Sequence, residues 1–244
     1  MINGMDVVYN DLDKTITDMF NRVLSQDREW IKTLIVSREE FMIIRDKDNK
    51  TVDDELKLLV NSFGDNRKGY IYDKEHDDIK YNLAVDIIKK DDVFSGYKKT
   101  TTYRIYVNAH EEELGFLGKI ERARVLEQLQ RLGQLERLQR LQQLQRLPKT
   151  TNKDFRYFSD IKNSILYLYP PYENSETGSY NSQIDYQDFY YWVIQMSKNN
   201  IVLLSSYEVS DNRFECVYEF KNARSRLAGG MPGKRTEKLF MVKS

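Results

Sequence analysis

The feature that most constrains this chain of 244 residues is the run Ile165-Leu166-Tyr167-Leu168, followed at once by Tyr169-Pro170-Pro171-Tyr172. Four apolar residues ending at two prolines read as a buried strand delivered to a stiffened, exposed turn, because each proline fixes φ and has no N–H for a ladder. A buried strand that hands rigid backbone to the carboxyl edge of an open sheet is where α/β folds place their chemistry. An α/β fold is therefore expected, with its site at the Pro-Pro turn.

Val7-Val8-Tyr9 reads as another short buried strand, running into Asn10-Asp11, and a helix follows with Ile16, Met19, Phe20, Val23 and Leu24 on one face. Asp11 or Asp13 can cap that helix. Asp11 also stands where doubly wound folds hold ribose hydroxyls, since the two oxygens of a carboxylate can accept from both. Ser37-Arg38-Glu39-Glu40 has the spacing of a capping box, and Thr51 starts a further helix with Leu56, Leu59 and Val60 on its apolar side. Asn61 to Asn66 is a turn-rich break, with Gly64 suited to positive φ.

From Lys89 to Arg104 basic and aromatic residues alternate: Lys89, Lys90, Phe94, Tyr97, Lys98, Lys99, Tyr103 and Arg104. Cations can meet phosphates while rings stack on an unpaired base, or the stretch is a solvated loop and edge strand guarded by lysines. Leucines 126, 129, 132, 135, 138, 141, 144 and 147 then recur every third residue. Three helical residues advance about 300°, so the leucines spread around a helix instead of forming a coiled-coil stripe. A solenoid-like stack is the other reading. Between Lys119 and Lys149 eight Lys/Arg face three Glu, a positive balance that can track a DNA backbone and is also common on exposed helices.

Lys+Arg and Asp+Glu are both 38, so nucleic-acid binding has to come from local patches and not from a global field. One cysteine, Cys216, cannot form an internal disulfide, and His76 and His110 lack zinc-ligand spacing, so no metal is expected. No leader and no apolar run of membrane-spanning length are read, which gives a cytoplasmic setting and no membrane partner by default.

The strand with Tyr169-Pro170-Pro171-Tyr172, followed by Tyr180, Asp185 and Phe189, resembles the Asp-Pro-Pro-Tyr motif region of Dam-type DNA adenine methyltransferases. Further similarities fall in family order: Asn10-Asp11; Ser62-Phe63-Gly64-Asp65-Asn66 with Tyr70-Ile71-Tyr72, similar to the prophage-type branch; the Leu-rich run; Asn152-Lys153-Asp154-Phe155; Ser205-Ser206-Tyr207; and the final Glu237-Lys238-Leu239-Phe240. The resemblance implies a Rossmann-like S-adenosylmethionine-dependent methyltransferase sheet, closed by an antiparallel hairpin and lacking the family's first strand and its glycine turn. It implies a catalytic domain starting at 1–36, a largely helical recognition insertion at 37–148 and the rest of the catalytic domain at 149–244.

Its site residues would be Tyr169, Pro170, Pro171 and Tyr172 for catalysis, and Asn10, Asp11, Asp154 and Phe155 for S-adenosylmethionine. Asn66, Arg67, Lys68, Lys98, Lys99, Tyr103 and Arg104 would meet double-stranded DNA. Arg224, Arg226, Lys234 and Arg235 are a second phosphate-contact set, and Asn174 to Asn181 is a polar loop suited to closing over a base.

In the family, the flipped adenine stacks on the tyrosine, and its amine donates to the Asp and to the first proline's carbonyl. Here Tyr169 stands at the Asp position, so an uncharged phenol replaces a carboxylate. Loss of one positioned charge-stabilising group costs about 10²–10³ in rate in comparable sites. The expectation is thus an impaired adenine methyltransferase of a prophage or restriction–modification type. The alternatives are a non-catalytic DNA-binding relative and a fragment completed by a partner chain that supplies the glycine turn.

Overall fold

The computed structural model describes residues 6–62, 66–71, 77–113, 129–144, 147–173, 184–224 and 236–243. The chain is mixed α/β and divides into two compact units, Met1–Asn152 and Lys153–Ser244.

Helices dominate the first unit, and their starts follow side-chain caps. Asp13 accepts from the Thr15 N–H at the head of α1 (Lys14–Leu24), and Asp27 accepts from the Trp30 N–H at the head of α2 (Arg28–Lys32). Ser37 takes the Glu40 N–H to open α3 (Arg38–Arg45), as the Ser-x-x-Glu spacing predicts. Thr51 and Asp54 close a full capping box on α4 (Val52–Asn61), each side chain meeting the other's backbone N–H. Such a cap satisfies two orphan donors at once.

Lys89 to Arg104 is not a loop with an edge strand. α5 (Asp77–Lys90) and α6 (Thr101–Glu113) flank two short 3₁₀ turns, Val93–Ser95 and Tyr97–Lys99. Gly96, at φ 103°, separates the turns, and Asp91 accepts from the Thr101 N–H at 3.0 Å to start α6. These local signals outweigh the alternation of residue types.

The leucine run forms α7 (Gln130–Gln142), not a solenoid-like stack. α7 packs on α1, α2, α4 and the Val93–Ser95 turn. Leu129, Leu132 and Leu135 are fully buried, and Leu138 and Leu141 are partly so, in one core with Met19, Val23, Ile31, Leu34, Leu56 and Ile87. A helix with neighbours on several sides needs apolar residues around much of its circumference, and a period of three supplies them.

Arg131 belongs to this interior and is fully buried. Its Nη1 donates to the Asn61 side chain at 2.8 Å and to the Val36 carbonyl at 3.3 Å, and Nη2 donates to the Tyr70 hydroxyl. It therefore ties α7 to the end of α4 and contributes nothing to a positive surface. Leu126 lies outside the described residues, and Leu147 is exposed.

The first unit also holds a parallel pair, β1 (Val8–Asn10) and β2 (Lys149–Thr151). Val7 and Val8 are each about half exposed, which corrects the expectation of a buried strand; Tyr9 instead packs on Phe20 at 4.7 Å.

In the second unit a four-stranded sheet has the order β3-β4-β6-β5, formed by β3 (Ile165–Leu168), β4 (Ile201–Ser206), β5 (Phe214–Arg224) and β6 (Thr236–Val242). β3 and β4 are parallel, and β6 runs antiparallel between β4 and β5. α8 (Tyr186–Ser197), capped by Asp185, covers one face through Phe189, Tyr190, Trp192, Val193 and Met196 against Val202, Leu204, Phe214 and Phe240. The opposite face carries Ile165, Tyr167, Ile201 and Tyr218, all at least 45% exposed. β3 was expected to be buried, but Leu166 and Leu168 are only partly buried, and Ile165 and Tyr167 are exposed.

Candidate functional site

The Pro-Pro turn leaves β3 at its carboxyl end, on the edge of the four-stranded sheet. Tyr172 folds back so that its hydroxyl donates to the Tyr169 hydroxyl at 2.7 Å, with the rings edge-to-face at 5.6 Å. Its ring also lies against Tyr207, just past β4, at 4.1 Å between centroids. Burial, and then the bond to Tyr169, push the Tyr172 phenol well above its ordinary range, so it remains a protonated donor. Behind the turn, the Tyr186 hydroxyl at the head of α8 donates to the Pro171 carbonyl. Two prolines and four tyrosines thus meet at one aromatic turn.

Glu173, the next residue, accepts from the Ser210 N–H at 2.9 Å and from the Ser210 hydroxyl at 2.8 Å. Ser205 is buried on β4 and donates to Glu237 of β6. Tyr207, Tyr186 and Glu173 were not assigned roles from sequence. Tyr207 was visible only as the end of Ser205-Ser206-Tyr207, since no local pattern pairs a ring with one 35 positions earlier.

Asp154 caps the 3₁₀ turn Phe155–Phe158 and is paired with Arg156, which also reaches Asp188. Phe155 packs edge-on against Phe189 and Trp192, with the Arg156 guanidinium over its ring at 4.4 Å. The carboxylate is therefore committed to a surface ion pair, and the partly buried ring packs against the core.

In the first unit, Asn10 closes β1 with its Oδ1 accepting from the Thr151 hydroxyl at 2.8 Å. Asp11 is not the helix cap, since Asp13 takes that role. Its Oδ1 accepts from the Asp13 N–H at 2.9 Å, and burial raises its carboxyl above the usual value. A half-buried carboxylate with acceptor capacity remaining, at the carboxyl end of a parallel strand, suits a ligand diol.

Among the expected DNA contacts, Asn66 accepts from the Lys68 and Gly69 N–H groups in an Asx turn. Arg67, at φ 60°, pairs with Glu55 at 3.0 Å, and Lys68 is exposed. Lys98, Lys99 and Arg104 are exposed as well. Tyr103 is not: it is buried edge-on against Tyr97, so its ring is withdrawn from any base. Gly64, Tyr72, the 174–181 loop, Arg226, Lys234, Arg235 and the side chain of Arg224 lie outside the described residues.

No group of histidine, cysteine and acidic side chains suited to a metal occurs among the described residues, and no described helix is long and apolar enough to cross a membrane. No family model, curated relative or solved structure matches the chain.

Proposed function

We propose that the chain is a DNA adenine methyltransferase-type protein, whose transfer to adenine in double-stranded DNA is impaired by Tyr169. The observation that carries this reading is the sheet order β3-β4-β6-β5 with Tyr169-Pro170-Pro171-Tyr172 at the carboxyl end of β3. A parallel pair closed by an antiparallel hairpin, with the Pro-Pro turn at its rim, is the arrangement the sequence resemblance implies.

S-adenosylmethionine would supply the methyl group, and the Asp11 carboxylate has acceptor oxygens to take its ribose hydroxyls. Asp154 would first have to leave Arg156. At the turn, Tyr172 offers a ring on which a base can stack, while the Tyr169 hydroxyl accepts without carrying the negative charge that favours developing positive charge on an amine.

The test is calorimetric titration of the purified chain with S-adenosylmethionine, with and without a mixed-sequence duplex. Micromolar binding that Asp11→Ala weakens about tenfold or more is expected, that loss corresponding to about 1.4 kcal/mol. Absence of binding to both cofactor and duplex would overturn the reading.

A second observation favours completion by a partner chain. Val7 to Tyr9 and β3 are apolar runs of the kind found in parallel strands covered on both sides, yet among the described residues β1 and β3 each pair on one edge only and carry exposed apolar side chains. A partner supplying the family's first strand and glycine turn would cover such edges. Co-expression with such a segment is then expected to tighten S-adenosylmethionine binding, and unchanged affinity in a stable co-complex would remove this version.

A further inference from the structure

Beside the Pro-Pro turn lies an open cavity of about 570 Å³, lined by Glu173, Tyr186, Tyr190, Tyr191, Ser210, Asp211 and Arg213. Small-molecule sites commonly span about 300–1,000 Å³. Tyr186 belongs to both the aromatic turn described above and this cavity, but neither Tyr169 nor Tyr172 lines it.

The charges in this cavity do not cancel. Arg213 Nε donates to both Asp211 oxygens, at 2.9 and 3.1 Å, and holds the Asp211 carboxyl below its usual range. That pair is neutral as a unit. Glu173 has no such counter-charge: its hydrogen-bond partners are the Ser210 N–H and the Ser210 hydroxyl, the Tyr190 phenol shares the cavity with it, and no cation pairs with it among the described residues. Tyr190 is buried, and burial followed by the neighbouring Glu173 carboxylate raises its phenol well above the ordinary range, so it stays a donor. Two neutral donors fill two of about four acceptor positions on a carboxylate, which leaves room for more. Around this anion stand the rings of Tyr186, Tyr190 and Tyr191, and a cation over a tyrosine face gains about 0.5–2 kcal/mol.

We propose that this cavity binds an organic cation, a primary alkylammonium or guanidinium group whose charge meets Glu173 while its alkyl stem lies on the tyrosine rings. A neutral ligand of the same shape would leave the carboxylate without a counter-charge, and an anion would be repelled. The same chemistry is available from a free amine and from a lysine or arginine side chain of a partner protein.

The experiment is calorimetric titration of the full chain with butylammonium, agmatine, Nα-acetyl-lysine amide and, as the neutral comparison, 1-pentanol. The cations are expected to bind at least about tenfold tighter than 1-pentanol, a ratio equal to about 1.4 kcal/mol. Glu173→Gln, of the same shape, should erase that preference while the far-ultraviolet spectrum is unchanged. Tyr191→Ala, at an exposed helix position, should weaken the cations several-fold. Equal binding of 1-pentanol, or a preference that survives Glu173→Gln, overturns the proposal. Tighter binding of the lysine amide than of butylammonium identifies a protein side chain as the ligand, and the reverse order identifies a free amine. Because S-adenosylmethionine and duplex binding are read separately, this site and the methyltransferase reading fail independently.

Discussion

Tyr169 is where sequence and geometry press hardest on each other. In the proposed reading a phenol occupies the position where the resembled family has a carboxylate, and its hydroxyl is engaged by Tyr172, the ring expected to stack on the base. In a duplex assay with the completing segment present, Tyr169→Asp should raise methyl incorporation about a hundredfold or more, because it restores a charged acceptor where the amine develops positive charge. An unchanged rate would remove position 169 from the chemistry.

Among single residues, those whose role is local were legible in the sequence: Ser37 and Thr51 as caps, and the turn after Leu168. Asp11 and Asp13 could not be told apart, since both stand one turn from the same helix; the structure gives the cap to Asp13. Tyr103 was expected to meet DNA, and Arg131 fell within the positive run from Lys119 to Lys149. Only their packing partners, Tyr97 for one and Asn61 with Tyr70 for the other, show them to be interior, and those partners are set by tertiary contact.

At the level of elements, α7 shows how a correct local reading stops short of its meaning. The period of three placed leucines around the helix, but nothing in the repeat says that α1, α2 and α4 surround it. Gly133 sits inside that helix, and a Cβ built there meets nothing within 4 Å. Gly133→Ala should therefore stabilise the chain by about 0.4–1 kcal/mol, through helix propensity and reduced freedom of the unfolded chain, measured by urea unfolding. A loss of stability would mean that the helix is more crowded than its geometry indicates.

The cap of α4 makes a pH-dependent prediction. Burial raises the Asp54 carboxyl, but the bonds from Lys47 and from Thr51 outweigh it and the net value is lowered. A depressed carboxylate stabilises the fold fully above its unfolded value of about 3.9, and that contribution disappears as pH falls through the lower folded value. Asp54→Asn should cost about 1 kcal/mol at neutral pH, in the range of a lost helix cap. The difference from wild type should close in urea titrations taken progressively below pH 4, and a gap constant with pH would show that charge is not involved.

For the whole molecule, the informative disagreement concerns covered surface. Sequence pattern alone reads Val7 to Tyr9 and Ile165 to Leu168 as buried, because continuous apolar runs belong to strands shielded on both faces. The second unit covers one face of its sheet with α8 and leaves Ile165, Tyr167 and Ile201 exposed on the other, beside the edge of β3 on which no strand pairs among the described residues. A pattern in sequence records the environment a strand needs, and it does not say which chain supplies it.

An open apolar edge pairs readily with another strand, so the isolated chain should self-associate as its concentration rises. Tyr167→Lys places a charge at the centre of that edge on the uncovered face, where its ammonium remains in water. The substitution should suppress association in light scattering while shifting unfolding free energy by no more than about 0.5 kcal/mol, as expected for an exposed position. If the wild-type chain stays monodisperse at high concentration, the edge is protected within the chain itself and completion by a partner strand loses its basis. If Tyr167→Lys abolishes both self-association and capture of the completing segment, the same edge serves both, and the bare face of β3 is where the molecule is meant to be joined.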